Sequence, residues 1–318
     1  YANWKYRMNE DLTFVSGVHY LHFLLNDHFS VEPRFSMEWN FIPGQILTLG
    51  FGKHSQVETI STYFTRIQDE NGQYQMPNKN LDLAKSEHYV LGYSNQLTKD
   101  LNLKAEVYYQ KLYDLPTGND PRDPFNLYNE TEGYPSRELV SQGYGRNYGL
   151  ELTLERYFSE GYYFLLTSSL YEAKLAGIDD ELKDSRFNGN YVGNLLFGKE
   201  FKIGKIGRDQ TISVNSKVSL IGGHRYTPID LEASSEVKHT VYEEGKQFAL
   251  KGDDVFALDF SITYRRNRQK TTHEFKIDIK NLTNNQARVE EFYIPPTDEI
   301  YRSRQLQILP NVVYTVQF

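Results

Sequence analysis

The sequence contains no cysteine. Disulfide staples, thiolate nucleophiles and cysteine-based metal sites are therefore excluded. No run approaches the ~20 apolar residues that a membrane-spanning helix needs. Lys and Arg nowhere gather into blocks, and the formal net charge of -7 gives nucleic acid no electrostatic footing. Eight histidines are present, with no HExxH-type pair among them. His19 and His22, three apart on a strand, point to opposite faces, so no metal site is expected. A phosphate-cradling glycine loop is also missing, and spacing picks out no pair of catalytic carboxylates. Neither an enzyme nor a bound cofactor is expected. The sequence starts at Tyr1 rather than Met, so an upstream segment is expected and the destination stays open.

Aromatic residues are abundant, at 14% of the chain with 25 Tyr and 19 Phe. The apolar content of 39% and mean hydropathy of -0.61 resemble those of a soluble protein. They also suit a membrane barrel, whose lumen-facing half is polar and whose loops are wet.

The pattern that recurs is a period of two, while helical periodicity is scarce. Strands are expected at Tyr1 to Met8, Leu12 to Leu24, Ser30 to Phe41, Ile46 to Gln56, Ser86 to Leu97 and Leu101 to Tyr113. Others are expected at Arg146 to Phe158, Tyr162 to Lys174, Asn190 to Phe201, Gln210 to Ile221, Val255 to Arg265, His273 to Asn281 and Gln305 to Phe318. That is about thirteen, and many exceed the ~5–6 residues usual in globular proteins. Their faces separate: Phe35, Met37, Trp39 and Phe41 oppose Arg34, Ser36, Glu38 and Asn40. Likewise Tyr148, Leu150, Leu152 and Leu154 oppose Asn147, Gly149, Glu151, Thr153 and Glu155. Glu151, Glu155, Asp259, Lys276 and Asp278 should then face a wet interior.

The connections decide between a soluble sandwich and a membrane barrel. Short turns at residues 9–11, 43–44, 98–100, 159–161, 204–208 and 267–270 alternate with long links at 57–85, 114–145, 175–189, 222–254 and 282–304. Only Leu25 to Phe29 is a brief member of the second set. An up-and-down sheet with its long loops at one end has the layout of an outer-membrane barrel, whereas Greek-key crossings break such alternation. The chain closes on Val312-Val313-Tyr314-Thr315-Val316-Gln317-Phe318, an alternating strand with a terminal aromatic. With Phe318 at the periplasmic end, every short turn falls in the periplasm and every long loop outside. Trp4, Tyr6, Trp39, Phe41, Tyr157, Phe158 and Phe201 then form an interfacial girdle near the short turns.

Several segments carry a family likeness. They include Glu32-Pro33-Arg34, Gly50-Phe51-Gly52-Lys53-His54-Ser55-Gln56 and Ser86-Glu87-His88-Tyr89-Val90-Leu91-Gly92-Tyr93. Further along are Gly145-Arg146-Asn147-Tyr148-Gly149-Leu150-Glu151-Leu152, Asn190-Tyr191-Val192-Gly193-Asn194, Gly222-Gly223-His224-Arg225-Tyr226-Thr227-Pro228 and Asn281-Leu282-Thr283-Asn284. With Leu309-Pro310 and Phe318, their order resembles the C-terminal part of a TonB-dependent outer-membrane receptor of the type common in Bacteroidetes. The resemblance implies an all-β, antiparallel, up-and-down transmembrane barrel of twenty-two strands. Residues 1–318 would be its C-terminal portion, an open segment of about thirteen strands whose two ends do not pair. The plug domain and early strands would lie outside this chain.

The resemblance further implies a bacterial outer-membrane location and TonB-dependent import of a scarce nutrient: a ferric siderophore, cobalamin or an oligosaccharide. Implied partners are outer-membrane lipid, the nutrient, the TonB energy-coupling protein acting through the plug region, and the barrel-assembly machinery, which would read Phe318. A passive porin or adhesin barrel is the alternative. For ligand capture the loop 114–145 stands out, with Tyr128, Tyr134 and Tyr144 beside Arg122 and Arg137. Rigid aromatic faces among hydrogen-bonding groups suit a sugar or an iron chelate.

Overall fold

The computed structural model describes residues 1–121, 123–130, 135–204 and 209–318. Thirteen long strands follow one another as an antiparallel meander. In chain order they are β1 (Ala2–Arg7), β2 (Leu12–Phe23), β3 (His28–Ile42), β4 (Gln45–Gln56), β5 (Ala84–Thr98), β6 (Leu101–Gly118) and β7 (Leu139–Ser159). They continue as β8 (Tyr162–Ala176), β9 (Tyr191–Ile203), β10 (Gln210–Ile221), β11 (Val255–Asn267), β12 (Thr272–Lys280) and β13 (Leu309–Gln317). Each expected strand is present; most ends move by one to four residues, while the strand expected from Arg146 begins at Leu139 and the one expected to end at Tyr113 runs to Gly118. Among the described residues β1 and β13 do not pair with each other, so the sheet is open at both edges.

The register fixes the two faces, because directly opposed residues share a side. One rung runs through Trp39, Leu47, Tyr93, Ala105, Leu152 and Ser168 across β3–β8. Another runs through Met37, Leu49, Leu91, Val107, Leu150 and Leu170. Trp39, Leu49, Leu91, Val107, Leu150, Leu152 and Leu170 are exposed, and Met37, Leu47 and Tyr93 are half-exposed between them, so the face is apolar but for Ser168. A face this wide and apolar must meet hydrocarbon or a second sheet. Among the described residues no second layer covers it: beyond the meander there are three two-stranded hairpins, two short α-helices, two single 3-10 turns (Pro77–Asn80 and Leu127–Asn129) and the two-residue strand Lys183–Asp184. The other face is polar. Glu106 lies opposite Glu151, Asn102 opposite Glu155, Lys217 opposite Asp259 and Ser261 opposite Asp278.

Turn chemistry accounts for the tight end. At Glu160-Gly161 both residues have positive φ (55° and 83°), the conformation that lets a two-residue hairpin follow the strand twist. At Pro43-Gly44 the glycine takes φ 80°, and Asn9 Oδ1 accepts from the N–H groups of Asp11 and Leu12. The turn at 204–208 falls largely outside the described residues. Phe318 follows β13 at this end, where Gln317 lies opposite Thr272, and it is fully exposed.

The loop end is richer than periodicity foretells. The strands β6 and β7 extend above the sheet, where Pro116, Thr117 and Gly118 pair with Ser141, Val140 and Leu139. Two short helices sit in the loops, α1 (Ile60–Tyr63) and α2 (Leu231–Val237). The Asp230 side chain caps α2 by accepting from Ala233 N–H, and the helix stops at Lys238 with φ 59°.

Candidate functional site

Four of the long loops converge on one cavity of about 710 Å³, within the size range of small-molecule sites. Aromatic faces come from Phe125, Phe187, Tyr226, Tyr242 and Phe248, and guanidinium groups from Arg137, Arg186, Arg225 and Arg288. Charge is balanced locally. Arg137 reaches Asp123 at 2.7 Å, Arg186 reaches Glu290 at 3.1 Å and Arg225 reaches Asp184 at 3.3 Å. Arg288 grips Asp253 bidentately, with Nε to Oδ2 at 3.0 Å and Nη2 to Oδ1 at 2.8 Å. Such paired bonds hold the Asp253 carboxyl below its ordinary range and push the Arg288 guanidinium higher still.

Backbone contacts tie the loops into one body. Arg186 N–H donates to the Asn129 side chain, and Arg225 N–H donates to the Arg186 carbonyl. The buried Asn188 accepts from Ala173 N–H and donates to Asp184. Gly189 and Gly222 meet so closely that a Cβ on Gly222 would lie 1.8 Å from the Gly189 carbonyl oxygen. No side chain fits there, which explains the glycines as a steric requirement. The guanidinium of Arg137 lies over the Phe125 ring at 4.2 Å, and the Phe187 and His224 rings meet at right angles.

Of the five residues expected from the sequence, Arg137 lines the cavity. Tyr128 stands outside that lining: its ring packs against the Ala84, Leu115 and Leu175 cluster. Its hydroxyl donates to Glu58 at 3.0 Å. Burial first, then the Glu58 charge, pushes the Tyr128 phenol up, and burial likewise raises the Glu58 carboxyl. Tyr144 donates to the Asp180 carbonyl at 3.1 Å. Arg122 and Tyr134 lie outside the described residues. The lining from 186–187, 224–227, 242–248 and 288–291 escaped the sequence reading, although Gly222-Gly223-His224-Arg225-Tyr226 was visible as a motif.

A polar network lies on the interior face below the loops. Glu32, 3% exposed, accepts from Ser30 Oγ at 3.0 Å, from Ser55 Oγ at 2.5 Å and from Ser55 N–H at 3.1 Å. His19 Nδ1 lies 3.0 Å from it and Arg34 Nη2 3.2 Å. Thus the Glu and Arg of Glu32-Pro33-Arg34 hold one another on the wet face. Among the described residues no group of three His, Asp or Glu is arranged to hold a metal ion.

A lipid-facing antiparallel meander with a loop-built cavity at one end is the wall of an outer-membrane receptor barrel. The sequence profile of the family described as TonB dependent receptor-like, beta-barrel matches residues 1–284, and the chain belongs to that family. Its members are outer-membrane transporters rather than enzymes. No curated protein sequence matches the chain.

Solved structures share the fold at low identity. The ferric yersiniabactin uptake receptor of Yersinia pestis superposes with a TM-score of 0.64 at 13% identity, covering 99% of this chain and 44% of that one. The ferripyoverdine receptor of the outer membrane of Pseudomonas aeruginosa gives 0.65 at 12%, covering 99% and 37%. The ferric-catecholate import receptor of Escherichia coli gives 0.64 at 11%, covering 98% and 43%. This chain therefore spans less than half the length of each of these receptors.

Proposed function

We propose that the chain forms the ligand-capturing side of a receptor that imports a scarce nutrient by TonB-dependent active transport, of the type common in Bacteroidetes. The nutrient is a ferric siderophore, cobalamin or an oligosaccharide. The observation that carries this reading is the cavity of about 710 Å³, built by four loops and lined by aromatic faces and oriented guanidinium groups. A passive pore has no need of such a chamber at its outer mouth. That three solved structures of the same fold are ferric siderophore receptors adds support by analogy of fold only.

Within the loop 114–145 we assign ligand contact to Arg137, with Tyr128 and Tyr144 holding the loop around it; Arg122 and Tyr134 remain candidates from the sequence. The energy-coupling protein would act through a plug region outside this chain, and Phe318 would serve assembly. The test is uptake by cells carrying Arg137→Ala with Tyr226→Ala. Reduced uptake with a normally assembled barrel is expected. Unchanged uptake kinetics would remove the cavity from the transport path.

A further inference from the structure

The register reveals a row of charge on the lipid-facing side that no single strand makes visible. Lys53 on β4 lies opposite Glu87 on β5, Glu87 opposite Lys111 on β6, Lys111 opposite Arg146 on β7, and Arg146 opposite Lys174 on β8. Each stands two residues from the outward row Phe51, Tyr89, Tyr109, Tyr148 and Glu172, on the loop side of it, and so shares its face. Beneath those aromatic rings the outward residues are Leu49, Leu91, Val107, Leu150 and Leu170. Going toward the loops, the wall therefore changes from aliphatic to aromatic to cationic. That is the order in which a lipid presents its chains, its glycerol or sugar level and its headgroup.

Two features distinguish this row from ordinary surface charge. First, its strand residues are confined to one side, and the loop residue Lys251, which lies over the outward Tyr191 ring at 4.9 Å, is paired with Asp254 at 3.4 Å. On β1–β3 the outward positions toward the loops include Val18, Tyr20, Phe29 and Val31, and on β9–β13 they include Tyr191, Phe256 and Ile279, with no Lys or Arg among them. Second, its centre is unpaired. Lys53 pairs with Glu87 at 2.8 Å, and Lys174 approaches Glu172 at 3.8 Å. Lys111 and Arg146, exposed and directly opposed across the ladder, have no carboxylate within ion-pair distance among the described residues. Like charges placed opposite each other on one face repel. Glu87, on the other side of Lys111, is bonded to Lys53 at 2.8 Å, so one carboxylate stands against three cations and the pair is under-neutralised.

We propose that the outer wall of β4–β8 binds the phosphorylated headgroup of an outer-leaflet lipid, with a phosphate between Lys111 and Arg146. The acyl chains lie along Val107, Leu150 and Leu170. Tyr109 and Tyr148 stand at the boundary between the two.

The test uses the receptor extracted from its own outer membrane in mild detergent, with bound lipid counted by native mass spectrometry. The probes are bisphosphorylated lipid A and the same lipid stripped of its phosphates. Wild-type protein should retain the phosphorylated form and not the stripped one. The double variant Lys111→Gln/Arg146→Gln should bind it about tenfold to thirtyfold more weakly, from the ~1 kcal/mol that each cation contributes near an anionic surface. Lys99→Gln, at the short-turn end, should behave as wild type. Equal retention by the double variant, or equal retention of the stripped lipid, overturns the proposal. Should the double variant not assemble, the salt dependence of the wild type decides. Retention that falls steeply as ionic strength rises supports a headgroup contact, and retention indifferent to salt overturns it.

Discussion

Leu152→Arg puts the lipid-facing assignment at direct risk. Leu152 lies on β7, opposite Ala105 on β6 and Ser168 on β8, and is 44% exposed. Its small neighbours leave it standing out from the wall. The next outward residues along and across, Leu150, Leu154, Leu103, Val107, Leu166 and Leu170, are all apolar. An arginine here has no acid within its reach on the rung, and Glu172 lies four residues along β8, ~13 Å away. Near the middle of the apolar band such a charge costs ~2–4 kcal/mol. Glu151→Gln, one residue away, faces inward and sits opposite Glu106. Removing one of two directly opposed carboxylates should change stability by less than ~1 kcal/mol, with either sign. The assay is a urea titration of the receptor folded into lipid vesicles, read by heat-modifiable gel migration. A large loss for Leu152→Arg with little change for Glu151→Gln is expected. Equal losses would refute the assignment of faces.

Gly222→Ala forces a Cβ into the Gly189 carbonyl. It should cost ~1–3 kcal/mol of loop stability and raise hydrogen exchange in 177–190 and 222–254 while the barrel still assembles; unchanged protection would show that the close approach is not obligatory. Arg288→Ala should loosen the hairpin Arg288–Ile294/Glu299–Arg304 and lower ligand affinity, and unaltered exchange there would contradict its tethering role. The same contact sets a pH window: because Asp253 titrates below its unfolded value, its contribution is complete above about pH 4 and lost as pH falls through the lower folded value. Exchange in residues 288–304 should therefore be flat from pH 7 to about 5, after correction for the intrinsic rate. It should rise only in stronger acid, and a rise centred near pH 6 would point to another group.

The strands were legible because each is half in lipid and half in a wet interior, which imposes a period of two. Tyr162 to Lys174 blurred the pattern because Leu165 faces inward, opposite Glu155 and Leu196. Legibility ends where the membrane does. The extension of β6 and β7 reads as part of the long link 114–145, because residues buried on both sides, as Leu115, Pro116, Thr117, Gly118 and Leu139 are, show no period of two. The cavity is less visible still. Arg186 and Glu290 are 104 residues apart, and nothing in either segment announces the other. Tyr128 looked like a binding face by type, yet burial against Leu115 and its bond to Glu58 give it a structural post. The cationic row stayed hidden because Lys53, Lys111, Arg146 and Lys174 become neighbours only through the register.

Import itself is best tested by following which small molecules disappear from the growth medium, measured by mass spectrometry. Cells with the receptor are compared with cells lacking it, each with and without a protonophore. At least one nutrient should be cleared only by receptor-bearing cells, and its clearance should stop when the proton gradient collapses. It should also slow when the loop 222–254 is shortened in a barrel that still assembles. Clearance indifferent to the protonophore, or undiminished by the shortened loop, would contradict active import through this cavity.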